Sequence, residues 1–309
     1  MTPDAQNFIP SGPLTFDPVT TLPGTVGLFA RLIGLSMVKP AWLPDDTVLE
    51  NKGLVFRNFR MDAEKLDRFK QVCGYGNNGP EVPAPFVQTL FIRVISKFIG
   101  SGRFPITPMG LIQVGQSFTL KQPLGVDTPL DLFCRILDMA RTDRGIYTRF
   151  LMEARDADAL VWEGTATYFT RAKNPPPKAK KPVPDDTPLP ARETIRVPEN
   201  TGRQYAGVSG DYNPHHLYAW TARFIGFKQA IAHGMWSLAR TCASLEREWG
   251  YPEHVHMEGA LKLPIFLPGT VTLGYEARDN AIAFELRGSE TGLPHLKGNF
   301  RSRPGQNCP

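Results

Sequence analysis

The segment YAGVSGDYNPHH, residues 205–216, lies over FKQVCGYGNNGP, residues 69–80, without a gap, and this pairing decides the fold. Val72 falls on Val208, Gly74 on Gly210 and Asn77 on Asn213. Tyr75 falls where the second copy has Asp211, and Pro80 where it has His216. Three identities in twelve positions are few. Each copy, however, is followed by the same order of elements, a long helix and then alternating strands, so the two stretches read as an internal repeat.

In the first half, PFVQTLFIRVISKFIG (Pro85–Gly100) is apolar on nearly every face except a stripe through Thr89, Arg93 and Ser96, which predicts a mostly buried helix. PLDLFCRI places Leu130, Leu132, Cys134 and Ile136 on one face of a strand. IYTRFLMEA, a turn at RDADA, and LVWEGTATYF continue an antiparallel meander. In the second half, IAHGMWSLARTCASL spaces Ile231, Met235, Leu238, Cys242 and Leu245 as an amphipathic helix. TVTLGYEA, the turn RDN, IAFELR and HLKGNF then give strands. The expected architecture is α+β, a tandem pair of units, each a long central helix wrapped by an antiparallel sheet.

KNPPPKAKKPVPDDTPLPARE (Lys173–Glu193), with seven prolines, reads as an extended linker between the units. It gives an N-terminal extension over residues 1–50, a first unit over 51–172, the linker, and a second unit over 194–309. The apolar run TVGLFARLIGLSMV (Thr25–Val38) contains Arg31 and is too short to span a bilayer, so an amphipathic helix packed on the body is expected there.

Over 309 residues a net charge of +5 is too weak a bias for nucleic-acid binding, though it suits a phosphate-bearing ligand or an acidic protein partner. Cys73, Cys134, Cys242 and Cys308 form no C-x-x-C pair, which favours a reducing compartment over a disulfide framework. With no basic leader at the N-terminus, a soluble, cytoplasmic protein without stable membrane insertion is expected. There is neither a Gly-rich phosphate loop nor a G-x-S-x-G elbow, which argues against nucleotide-dependent chemistry and a serine hydrolase.

The chemistry concentrates in Asp211-Tyr-Asn-Pro-His-His216. Gly210 and Pro214 break regular structure, so these residues are read as a stiff loop, followed by a short helix carrying Leu217, Trp220 and Phe224 and ending at Gly226. On residue types alone, D-x-N-P before a helix is also ordinary capping chemistry. The string YAGVSGDYNPHHLYAWTARFIGFKQAIAHGM resembles the hydratase motif of the MaoC-like family, the (R)-specific enoyl-CoA hydratases and 3-hydroxyacyl dehydratases. The resemblance rests on Tyr205, Ser209-Gly210-Asp211-x-Asn213-Pro214-x-His216, Ala222, Gly226 and Ile231-Ala232-His233-Gly234-Met235. GLIQV and LPIFLPG extend it, more diffusely, to members with a double hot-dog fold.

The resemblance implies reversible hydration of a trans-2-enoyl thioester to an (R)-3-hydroxyacyl thioester, on coenzyme A or an acyl carrier protein, in fatty-acid-type metabolism. It implies one water bound between Asp211 and His216, the catalytic pair, with His215 at a variable position. Adding water across C2–C3 needs a base and a proton route to C2, and two groups of different pKa on one water supply both. The resemblance and the chemistry together make the Gly234 N–H, at a helix N-terminus, the donor to the thioester oxygen. Asn213 is expected to shape the loop. No cofactor and no metal are expected; His254 and His256 lack an obvious third ligand. Arg223, Lys228 and Lys262 flank the motif and read as solvated charge or as contacts to coenzyme A phosphates or an acidic carrier. By analogy with double hot-dog members, whose inactive half makes room for a bulky acyl chain, the resemblance implies an acyl tunnel near Phe86–Ile95, in the half where Tyr75 and Pro80 leave the motif unmatched. A hot-dog thioesterase and a non-catalytic acyl-binding subunit are the alternatives, and monomer and homodimer both remain open.

Overall fold

The computed structural model describes residues 5–22, 34–101, 103–108, 110–176, 187–224 and 226–302. Strands β1 (Gln6–Phe8), β2 (Ser11–Pro18) and β3 (Glu50–Phe59) precede helices α1 (Ala63–Cys73) and α2 (Ala84–Ile99). Strands β4 (Leu111–Leu120), β5 (Leu130–Thr142), β6 (Gly145–Asp156) and β7 (Ala159–Arg171) complete the first half. The second half runs β8 (Ala191–Val197), α3 (Thr201–Ser209), α4 (Pro214–Leu217), α5 (Ala219–Arg223) and α6 (Gly234–Glu248). It ends with β9 (Val255–Leu261), β10 (Gly269–Arg278), β11 (Ala281–Gly288) and β12 (Pro294–Ser302).

One sheet runs through both halves in the order β2-β3-β5-β6-β7-β4-β9-β12-β11-β10-β8, with β1 paired to β5. Read inward from each end, β3-β5-β6-β7-β4 mirrors β8-β10-β11-β12-β9. The halves are therefore related by a pseudo-two-fold axis between the antiparallel strands β4 and β9, where Phe118 lies opposite Met257. This is the double hot-dog fold: α2 and α6 are the two long helices, and they pack against each other and against the sheet.

The repeat is physical as well as textual. α1 and α3 both stop at a left-handed glycine, Gly74 at φ 77° and Gly210 at φ 81°. Only glycine adopts that conformation without a Cβ penalty, so the two matched glycines do the same job. The aligned residues Phe69 and Tyr205 meet each other, 6.1 Å between ring centroids, as residues near a two-fold axis do. Trp236 of α6 donates its indole N–H to the Val72 carbonyl at 3.0 Å, locking the second helix onto the first half.

The strand readings hold. Leu130, Leu132, Cys134 and Ile136 are all buried on one face of β5, and the turns fall at residues 157–158 and 279–280. α2 is buried over most of its surface; within the expected polar stripe only Arg93 is exposed, while Thr89 is buried and donates to the Phe86 carbonyl at 2.6 Å. Several boundaries differ. Ile231 lies outside α6: it forms a bridge with Phe266, and the helix begins only at Gly234. His215 and His216 are in the helical turn α4, because Pro214 supplies the φ of a first helical residue. Tyr218, extended at φ −143°, splits what was expected as one helix into α4 and α5. Ala191–Glu193, assigned to the linker, open β8, and residues 177–186 of the linker lie outside the described residues. The extension over residues 1–50 adds β1 and β2 to the sheet. Most of the expected helix at Thr25–Val38 also lies outside the described residues; residues 34–38 are helical. No described helix is long and apolar enough to cross a membrane. Cys73, Cys134 and Cys242 are buried free thiols.

α6 carries one group at odds with its surroundings. Glu246 is buried, meets the Cys242 thiol at 3.6 Å, and has one carboxyl oxygen without a partner among the described residues. Burial pushes its pKa up to about 8. A raised folded-state pKa means stability is fully present below the ordinary carboxylate value of 4.5 and falls as pH rises through about 8. Each unit of that window costs about 1.4 kcal/mol. Glu246→Gln is therefore expected to raise the urea midpoint relative to wild type at pH 8 and to lose that advantage at pH 5. A difference that did not change with pH would mean that Glu246 is charged where it sits.

Candidate active site

Asp211 follows the αL residue Gly210, so the chain reverses at the end of α3 and brings the carboxylate beside the N-terminus of α6. Its backbone N–H donates to Ser209 Oγ at 3.2 Å. Oδ1 accepts from the Asn213 backbone N–H at 3.2 Å and from Asn213 Nδ2 at 2.7 Å. Asn213 is thus the clamp that orients the Asp211 side chain, one of whose faces stays open to solvent.

His216 is buried, and its Nδ1 lies 2.8 Å from the Ile231 carbonyl. A carbonyl only accepts, so Nδ1 carries the proton and Nε2 presents a lone pair. Its pKa is held well below the ordinary 6.5, first by desolvation and then by the neighbouring His233, with Asp211 pulling the other way. The ring is neutral at physiological pH.

His233 lies at the heart of this arrangement. It caps α6, is buried, and stacks on His216 with 3.6 Å between ring centroids and 24° between planes. Its Nε2 donates to the Asp211 carbonyl at 2.9 Å and lies 3.9 Å from Asp211 Oδ2. Tyr205 also packs on it, with 5.0 Å between ring centroids and 50° between planes. The motif reading gives His233 no role of its own. A signal was there: in the first half the residue before α2 is Pro83, with the same backbone (φ −60°, ψ 138°; His233 φ −64°, ψ 137°), so conformation alone does not require histidine.

Burial pushes the His233 pKa down to about 3. A group whose folded-state pKa is depressed draws a proton on unfolding, so stability is lost as pH falls from 6.5 toward about 3. Replacing His233 by Gln is expected to flatten the acid side of the stability profile by about 1.4 kcal/mol per pH unit relative to wild type. Parallel profiles for the two proteins between pH 6.5 and 4.5 would contradict the buried neutral state.

Ligand atoms of Asp211, His216 and His233 all lie within 4.8 Å of one another. Such a cluster raises the question of a metal. The two imidazoles are stacked nearly parallel, so their in-plane lone pairs run side by side, whereas a cation needs them to converge. Each ring also has one nitrogen already committed to a carbonyl. The geometry suits a water: two partners at about 2.8 Å each bridge up to about 5.6 Å.

Two glycines shape the approach. A Cβ on Gly234 would fall 2.5 Å from Leu261 Cδ1, so Leu261 packs directly on the helix start. The Gly234 N–H, first in α6, has no acceptor within its own helix. On Gly202, in α3, a Cβ would penetrate the His216 carbonyl. The repeat sets Leu66 of α1, itself buried, at the matching position.

Other expected features stay apart from the site. His256 pairs with Thr119 Oγ1 at 2.9 Å across the β4–β9 junction, and His254 precedes the strand. Phe86 and Phe91 are packed core, Phe91 stacked 5.4 Å from Trp162, so side chains occupy the region where an acyl tunnel was expected. Tyr75, opposite in the repeat to Asp211, is buried and stacks on Phe69.

The chain is similar to known proteins in sequence and in fold. The model of the MaoC like domain matches residues 180–278. A 3-hydroxyacyl-thioester dehydratase X of Mycobacterium tuberculosis is 27% identical over 268 residues, 84% of this chain and 92% of that protein. The crystal structure of HtdX from the same organism superimposes with a TM-score of 0.70 at 23% identity, covering 81% of this chain and all of that one. A MaoC-like dehydratase from Phytophthora capsici gives 0.68 at 16% identity, covering 84% and 98%. Residues 180–278 thus match the MaoC like domain, and the chain as a whole is similar in sequence to a 3-hydroxyacyl-thioester dehydratase and in fold to MaoC-like dehydratases.

Proposed function

We propose that this chain is a hydro-lyase that adds water reversibly to trans-2-enoyl thioesters, giving (R)-3-hydroxyacyl thioesters, in fatty-acid-type metabolism in the cytoplasm. The observation that carries the reading is the span of at most 4.8 Å between ligand atoms of Asp211 and His216, each with a free acceptor, with the first N–H of α6, that of Gly234, next in the chain to His233 of the same cluster.

The water donates one O–H to His216 Nε2 and the other to Asp211. As its oxygen bonds to C3 of the enoyl thioester, its proton passes to Nε2 and the C2–C3 electron pair moves toward the carbonyl. The oxygen that becomes an enolate lies against the Gly234 N–H, where a preorganised donor at a helix N-terminus stabilises it without reorganising. The imidazolium, balanced by the Asp211 carboxylate, returns the proton to C2. Every atom of the water ends on the product, and the dyad is restored. Asn213 and His233 act through Asp211, the first on its carboxylate and the second on its carbonyl. Both carry out positioning.

We also propose the division into units at residues 51–172 and 194–309, with Ala191–Glu193 joining the second. Glu193 supports this shift: it pairs with Arg240 and accepts from Ser244 Oγ at 2.7 Å, tying β8 to α6.

The test is loss of the enoyl-thioester absorbance with purified protein and trans-2-enoyl-CoA of short and long chain. Accumulation of free thiol instead of 3-hydroxyacyl product would make the chain a thioesterase.

A further inference from the structure

The segment that follows His216 presents a ridge that the hydration chemistry leaves unused. Tyr218, Trp220 and Phe224 are 45%, 62% and 85% exposed, yet their rings form a chain, with centroids 6.2 and 6.3 Å apart. Exposed aromatics of this size, ordered against one another, mark an interaction surface more often than a solvated face. The ridge is braced on the site. Thr221 Oγ1 donates to the Pro214 carbonyl at 2.6 Å, and the Arg203 guanidinium caps the Tyr218 ring at 4.9 Å while holding the Leu217 carbonyl at 3.0 Å.

Charge narrows the choice of partner. Between Asp211 and Glu246 the chain has no acidic residue. Arg223 and Lys228 flank the aromatic ridge, both exposed, and neither forms a salt bridge among the described residues. A second copy of this chain docking through the same ridge would set these cations against their own copies, which is repulsive. A nucleotide needs a cleft that encloses the base, whereas Phe224 stands out from the surface. A convex, cationic, aromatic ridge fits the face of an acidic protein, with aromatic anchors at its centre and charge at its rim.

We propose that Tyr218, Trp220, Phe224, Arg223 and Lys228 form the docking surface for an acidic acyl-carrier protein that delivers its thioester to Asp211 and His216, an inference that rests on the hydratase reading. The ridge begins two residues after His216, so a carrier seated on it holds its pantetheine arm close to the dyad.

The experiment measures hydration of one trans-2-enoyl group on three carriers: an acyl-carrier protein, coenzyme A and N-acetylcysteamine. It uses wild type, Arg223→Glu/Lys228→Glu and Trp220→Ala/Phe224→Ala. The expected result is a rise of about tenfold or more in KM for the carrier-protein substrate in both variants, with kcat held and the N-acetylcysteamine rate within about twofold. Added salt should mimic the charge reversal on wild type. Several outcomes overturn the proposal. One is equal loss on all three carriers, with or without a change in oligomeric state, which makes the ridge structural or a self-contact. Another is loss with coenzyme A alone, which makes it a nucleotide seat. The third is no loss at all. Failure of wild type to hydrate even the N-acetylcysteamine thioester would sink the hydratase reading itself, so the two failures are distinguishable.

Discussion

Replacing Asp211 by Asn, or His216 by Ala, is expected to slow hydration of a trans-2-enoyl thioester roughly 10³-fold, with KM little changed. In Asp211→Asn the side-chain amide oxygen still accepts the Asn213 backbone N–H, so the loop keeps its form, but the amide can no longer balance the imidazolium. His216→Ala removes the lone pair that, in the proposed mechanism, receives the proton. In that mechanism the two groups work on one water, so the double variant should lose about as much as the worse single one. Steady-state absorbance at the enoyl band, with a thermal melt as a folding control, reads all three. A double variant that retained wild-type turnover would remove the dyad from the mechanism.

Gly202→Ala is expected to damage both stability and activity, although residue 202 carries no chemistry. The added methyl would overlap the His216 carbonyl oxygen and come within 3.0 Å of its carbonyl carbon, and both are backbone atoms that have no rotamer to escape into. Either α3 or α4 must move. Overpacking of this kind costs about 1–3 kcal/mol, and a shift of His216 away from the water adds a loss of roughly 10²-fold in kcat. The control is in the first half: Leu66, at the matching place on α1, is buried there, with no counterpart of the His216 carbonyl against it. A Gly202→Ala protein with wild-type melting temperature and rate would show that α3 and α4 can separate at no cost.

The contrast between Gly202 and Leu66 also shows which parts of the molecule the sequence makes legible. Period-two burial on β5 and the apolar faces of α2 and α6 are local, so they appear in any window of the sequence. Asp211, Asn213 and His216 lie within six positions, and their chemistry can be read from spacing. α3 is hidden because Gly202 and Gly207 dilute its helical pattern, and the reason for Gly202 is a carbonyl fourteen residues away. His233 is hidden because its partners, Asp211 and Tyr205, reach it only after folding. Ile231 keeps to the helical spacing of α6 but pairs with Phe266, whose approach no periodicity encodes. Short, edge-paired β1 and β2 depend likewise on β5 and β3, far along the chain.

The mirror order of strands about β4 and β9 has a kinetic consequence. Where two separate hot-dog chains must meet to bury their long helices, that junction forms at a rate set by protein concentration and comes apart on dilution. Here the meeting of Phe118 with Met257, and of Phe69 with Tyr205, is an event within one molecule. The partner is always present at a tethered, effectively millimolar concentration. Neither half is obliged to pair with a twin of itself, so Tyr75 and Pro80 can stand in one where Asp211 and His216 stand in the other.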